Sequence, residues 1–246
     1  MKKFLIALFA AVSAFAGNET VSLSPAVVML RGEAGQNTTQ TLTLRNATSR
    51  AMSFDVVAQD VVVRNGARAF VDAGQIPGSI AATAVFSERH IKVLPGSSAT
   101  ITARFTIPPN ASSRAVVAFF RGADNIRNAT YSVGSLLTFT LSDNTTLATS
   151  ALQVEAQSAS SNLAVAQTCT NSGSEPLVAK GMLAVIGEDG RIAGKAALAP
   201  RRLLPGERAE LGAQYGAELQ PGRYRVLVTY DYEGRSSTQS AEVTIR

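Results

Sequence analysis

The chain has 246 residues, a formal net charge of +5, one cysteine and one histidine. A lone Cys169 forbids an intramolecular disulfide, and a lone His90 forbids a histidine-based metal cluster. The charge falls to +3 once Lys2 and Lys3 are set aside, and the remaining Lys and Arg are scattered along a chain only 6% aromatic, unlike the clustered basic and aromatic footprint of a nucleic-acid binder.

In chain order, Lys2-Lys3, the apolar run Phe4 to Val12 and the small-x-small triplet Ala14-Phe15-Ala16 before Gly17 read as a secretory signal peptide over 1–16. The run is too short for a permanent span, and no later segment approaches the roughly 20 apolar residues that a spanning helix needs. The expectation is an exported, periplasmic or secreted chain, held without disulfides by burial alone. The 230 residues from Gly17 onward suffice for one large or two ordinary domains.

Beyond Gly17 the chain alternates at period two. "VSLSPAVVML", "TLTLRN", "ATITARFTI", "LLTFTL", "LQVEAQ", "RYRVLVTY" and "AEVTIR" are rich in Val, Ile, Thr, Phe and Tyr and are punctuated by Gly, Pro, Asn and Ser. No segment sustains a 3.6-residue period. The fold class predicted is all-β, two tandem immunoglobulin-like β-sandwiches after the signal peptide. Asp55 and Asp60 fall in a strand and are expected to face solvent. Cys169, in "LAVAQTCTN", is expected to be a small buried strand residue. "EDG" at 188–190 reads as a type I′ hairpin turn. The adjacent pair Arg201-Arg202 reads as a solvated loop. Six Asn-x-Ser/Thr triplets, at Asn18, Asn37, Asn46, Asn110, Asn128 and Asn144, read as turn chemistry. Tyr224, Tyr230 and Tyr232 share one strand parity, as half-buried strand tyrosines or as an exposed binding strip.

The punctuation repeats. Leu94-Pro95-Gly96 matches Leu204-Pro205-Gly206 at a shift of 110, after which Phe105 falls on Tyr215, Val116 on Val226 and Phe120 on Tyr230. Upstream, Asn46 matches Asn171 at a shift of 125, so the first copy carries about 15 extra residues within "ARAFVDAGQIPGSIAATAVFSERH". Pro presets φ at the second turn position and Gly takes positive φ at the third. The division predicted is a first domain over 17–142, a polar linker over 143–149 and a second domain over 150–246.

The order "VSLSPAVVML…QTLTLRNATSRAMSFDVVAQD…FSERHIKVLPGSSATITARFTIPPN…RAVVAFF", residues 20–142, resembles the N-terminal immunoglobulin-like domain of periplasmic pilus-assembly (PapD-like) chaperones. It is equally similar to chaperone-like domains of bacterial cell-surface proteins. Residues 150–246 resemble a generic bacterial immunoglobulin-like module. The resemblance implies a chaperone that lends its seventh strand to an incomplete secreted or pilus-type subunit. Here that strand would be "SVGSLLTFTLSD", with Val133, Ser135, Leu137, Phe139 and Leu141 along one face. A buried strand of a sandwich needs the same alternation, so the five residues read as donated strand or as core. The family anchors the subunit's terminal carboxylate with an Arg in the first strand and a Lys in the seventh. This chain has Pro25 and Ala26 before Val27-Val28-Met29, and no Lys or Arg between Tyr131 and Asp143. Arg31 or Arg127 could substitute.

No catalytic constellation stands out. Nucleophile elbow, phosphate loop and dinucleotide fingerprint are absent, and the carboxylates in "GEDGR" and "YDYEG" lack calcium-loop spacing. The function expected is non-enzymatic, with no cofactor and no metal: a chaperone-like protein that binds a secreted or pilus-type subunit by strand addition. The alternative is a structural or adhesive cell-envelope module.

Overall fold

The computed structural model describes residues 20–124, 129–157 and 162–246. The signal peptide expected over 1–16, Arg127, Asn18 and Asn128 lie outside them. The first half forms β1 (Val21–Ser24), β2 (Val27–Arg31), β3 (Asn37–Asn46), β4 (Met52–Arg64), β5 (Ala67–Asp72), β6 (Val85–Phe86), β7 (His90–Val93), β8 (Ser98–Thr106), β9 (Ala115–Asp124) and β10 (Ala129–Thr140), with one 3-10 turn at Ala81–Thr83. The second half forms β11 (Leu147–Thr149), β12 (Gln153–Gln157), β13 (Asn162–Asn171), β14 (Leu177–Gly187), β15 (Ile192–Leu203), β16 (Arg208–Tyr215), β17 (Gly222–Tyr232) and β18 (Arg235–Ile245).

These strands make two tandem immunoglobulin-like sandwiches. In the first, a sheet ordered β1-β3-β8-β6 faces a sheet ordered β2-β10-β9-β4-β5, with β7 also on β4. In the second, β13 carries β16 on one side and β11 and β12 on the other, facing a sheet ordered β15-β14-β17-β18. The orders β5-β4-β9-β10 and β15-β14-β17-β18 correspond strand for strand, so the sequence repeat is a repeat of topology. Period two explains each core: along β4, Met52, Phe54 and Val56 are buried while Ser53 and Asp55 are exposed. Phe105 meets Phe86 and Phe139 edge to face in the first core. Each such buried ring contributes on the order of 1.5–3 kcal/mol of transfer free energy.

The matched asparagines hold the matched turns. Asn46 is fully buried; its amide nitrogen donates to the Val93 carbonyl at 3.1 Å, beside the first Pro-Gly turn, and its Oδ1 accepts from the Thr48 amide at 3.0 Å. Asn171 does the same in the second copy, donating to the Leu203 carbonyl at 3.0 Å and accepting from the Gly173 amide at 3.0 Å. Gly96 and Gly206 both take the positive φ that the turn requires, 68° and 77°. Asn46→Ala or Asn171→Ala is expected to cost roughly 1–3 kcal/mol through the carbonyl groups left unpaired, read from denaturant midpoints. A cost below about 0.5 kcal/mol for either would contradict the staple role.

Four local expectations change. Asp60 faces the interior, fully buried, because the extra segment of the first copy folds onto it: its carboxylate accepts from the Ser79 hydroxyl and from the amides of Ile80 and Ala81 at 3.1 and 3.2 Å. The Glu188-Asp189-Gly190 hairpin is not type I′. Only Gly190 has positive φ there, and the Gly190 amide closes a turn on the Gly187 carbonyl at 3.0 Å. Type I′ geometry occurs instead at Asn65-Gly66 (φ 52° and 80°) and Glu233-Gly234 (43° and 77°). Arg201-Arg202 lies on β15, not in a loop. Tyr230 and Tyr232 are buried rather than half-buried, while Tyr224 is intermediate. Cys169 is buried on β13 as expected. Burial raises the pKa of its thiol and of the neighbouring Tyr230 phenol, so both stay neutral.

The two Pro-Gly turns differ in what covers them. Leu94 is 57% exposed, whereas Leu204 is 2% exposed. Leu204 packs in a small third core with Val61, Ala115 and Val117 of the first sandwich, flanked by Val63, Phe119 and Leu136. The β4–β5 hairpin tip closes over it, with the Arg208 amide donating to the Gly66 carbonyl at 2.8 Å. Two buried carboxylates bridge the joint. Glu207 accepts from Arg68 Nε at 2.9 Å and from the Leu204 amide at 2.8 Å. Glu175 accepts from Arg114 Nε at 3.3 Å and from the Leu141 amide at 3.0 Å.

Candidate functional site

β10 carries Val133, Ser135, Leu137 and Phe139, with Leu141 one residue past its end, and its two edges are not equivalent. One edge pairs with β9 without a bulge, from Ala129↔Asp124 to Thr138↔Ala115. The other carries β2 in parallel only from Leu136↔Val27 to Thr140↔Arg31. The Phe139 amide donates towards β9, to the Arg114 carbonyl at 2.8 Å, and the Leu136 amide donates towards β2, to the Ala26 carbonyl at 2.9 Å. Backbone groups alternate along a strand, so the even-numbered residues aim theirs at the β2 side. At Thr130, Ser132 and Gly134 no strand among the described residues pairs on that side, and β1, which belongs to the facing sheet, is the strand that approaches β10 there. This leaves roughly 15 Å of unpaired edge, a ready template for another strand.

The five residues occupy the inward face of the strand and its end. Leu137 and Phe139 have 0% exposure and belong to the first core. Ser135 is buried, and its hydroxyl donates to the Pro25 carbonyl at 2.7 Å. Val133 and Leu141 are half-buried against the same core. Only Val133 of the five lies within the unpaired stretch, next to Tyr131, which packs on the same core.

The opposite face of β10 carries the features that sequence reasoning missed. There Thr130 and Ser132 are exposed and Gly134 has no side chain. A Cβ at Gly134 would meet Val117 Cγ1 at 2.7 Å and Phe119 Cδ1 at 3.1 Å, so the ring on β9 leans across the glycine. Phe119 meets Phe70 of β5 edge to face at 5.2 Å between centroids, and Arg121 Cζ sits 5.3 Å from the Phe119 ring centre. Phe70 is 55% exposed, and Val27 and Met29 of β2 are exposed on the same sheet. The available signal was a glycine inside an alternating strand, which marks close approach of another group.

No protein-family model matches this chain, and no curated protein matches it. Solved structures do. The class 5 fimbriae chaperone CfaA is 11% identical over 92% of this chain and 99% of its own, with a TM-score of 0.45. The CupB2 chaperone of Pseudomonas aeruginosa is 11% identical over 92% and 100%, also with a TM-score of 0.45. The CsuC–CsuE chaperone–tip adhesion subunit pre-assembly complex of Acinetobacter baumannii contains a chain 9% identical over 92% and 99%, with a TM-score of 0.40. Likenesses at such identities and scores carry no functional conclusion.

Of the two substitute cations, Arg31 is engaged by Asp143 at the exposed end of β2, and Arg127 lies outside the described residues. The cation that touches β10 comes instead from the second sandwich. Arg202 Nη1 donates to Thr138 Oγ1 at 2.7 Å. Burial, then the nearby Arg68 charge, lowers the pKa of its guanidinium, and Glu233 opposes that shift. Among the described residues no group of three or more His, Cys, Asp and Glu could hold a metal, and no helix is long and apolar enough to cross a membrane.

Proposed function

We propose that this chain is an exported, non-enzymatic, chaperone-like protein of the periplasm that binds a pilus-type or other secreted subunit by β-strand addition. The observation that carries the reading is the unpaired edge of β10 at Thr130, Ser132 and Gly134, beside a sheet that is otherwise fully paired along β9. Main-chain hydrogen bonds along such an edge supply affinity and alternate side chains supply specificity. The resemblance of residues 20–142 to the pilus chaperones supports the same reading. The division into domains over 17–142 and 150–246 belongs to this proposal.

Ser132→Pro tests it. The Ser132 amide points at the open edge, so proline removes an outward donor and leaves the β9 ladder intact. With a capped 11-residue peptide of alternating apolar and hydroxyl side chains as probe, fluorescence anisotropy is expected to show at least about a tenfold loss of affinity with an unchanged far-UV spectrum. Equal binding by Ser132→Pro and the unsubstituted protein would refute edge pairing.

A further inference from the structure

The outer face beside this edge sets a pattern for the strand that would pair there, an inference that rests on the strand-addition reading. Two rungs cross the sheet. In one, Gly134 stands opposite Phe119, and Phe119 opposite Val57. In the next, Ser132 stands opposite Arg121, and Arg121 opposite Asp55. Both β10 residues are small, so side chains from a strand added outside β10 would pass over them and reach the β9 residues behind, about 10 Å away.

What waits behind each is different. Over Gly134 lies the Phe119 ring, backed by Phe70. Opposite Ser132 in register stands Arg121, which is exposed, stacks on Phe119 and donates through Nη2 to Gln59 Oε1 of β4 at 2.9 Å. Among the described residues no carboxylate lies within salt-bridge distance of Arg121. Asp55, its neighbour in register, is bonded to His90. The guanidinium keeps donors free for an incoming acid.

We propose that the Gly134–Phe119 and Ser132–Arg121 rungs select a partner strand carrying a large apolar residue opposite Gly134 and an acidic residue two positions away, opposite Ser132. The two-residue spacing comes from the strand period, which puts both side chains on the outer face. The occupant is thus an alternating strand with a negative charge on the face turned away from the first core, and Arg121 determines specificity.

The test uses three capped 11-residue alternating peptides, identical except for Glu, Ala or Lys two residues either side of a central leucine. The mature chain is expected to bind the Glu peptide about tenfold more tightly than the Lys peptide at low salt, with Ala between them, and the gap should shrink as salt rises. Arg121→Glu, a change at an exposed position, is expected to invert the order while leaving the melting temperature within a few degrees. Binding of all three peptides with the same ranking in both proteins would overturn the Arg121 proposal and leave strand addition standing. Failure of every peptide to bind the unsubstituted protein would overturn strand addition, and this inference with it.

Discussion

Glu207→Ala is expected to lower stability by about 2–3 kcal/mol, because it removes the carboxylate partner of the half-buried Arg68, which keeps only the Arg202 carbonyl at 2.8 Å, and leaves a buried amide without an acceptor. Glu207 is almost fully buried, Arg68 donates to it at 2.9 Å and the Leu204 amide at 2.8 Å, and Arg201 Nη2 stands 3.8 Å away. The residue is therefore the hub of a joint that also buries Leu204 against Val61, Ala115 and Val117. Glu207→Gln keeps the shape and an acceptor for Leu204, and is expected to cost less. The check is urea denaturation followed by far-UV ellipticity, with native-state hydrogen exchange at Leu204. A loss of under about 1 kcal/mol for the alanine variant would mean that solvent already screens the pair and that apolar contact alone makes the joint.

Leu137→Glu or Phe139→Glu is expected to unfold the first sandwich. Both positions are fully buried, and Phe139 meets the Phe105 ring at 6.0 Å between centroids. Truncating such a ring to alanine costs about 3–5 kcal/mol, and a carboxylate without a partner costs more. The Phe139→Glu protein should lose its cooperative thermal transition. Binding lost in these variants would then report unfolding and not a lost contact, whereas Ser132→Pro and Arg121→Glu change the edge and the outer face alone. A Leu137→Glu protein that melts normally yet no longer binds the alternating peptide would contradict this placement and return Leu137 to the binding surface.

The division between core and edge explains what can be read from the sequence. Period two along β4 and the matched Asn and Pro-Gly positions are visible because one face of each strand is buried and each turn needs its own residue chemistry. The pairing of Asn46 and Asn171 with the carbonyl groups before each turn needs the fold, since those partners lie 47 and 32 residues away. On β10 the alternation is legible, but alternation alone does not say where a strand stops being paired. That depends on β2 leaving the edge at Leu136, a long-range event set by residues more than a hundred positions earlier. Asp60 defeats a sequence reading for a related reason: an acid on a strand is expected to face water unless a distant segment, here Ser79 to Ala81, brings donors to it. Gly134 reads as a weak strand residue. Its meaning lies in the Phe119 ring that leans across it.

The most direct measurement is residue-resolved amide hydrogen exchange by NMR on the mature protein, alone and saturated with the alternating peptide. Strand addition predicts that the outward amides of Thr130, Ser132 and Gly134 exchange fast in the free protein and become protected on binding, while the inward amides of Tyr131 and Val133 are protected in both states. A bound peptide that leaves the three outward amides exchanging as before would contradict the account.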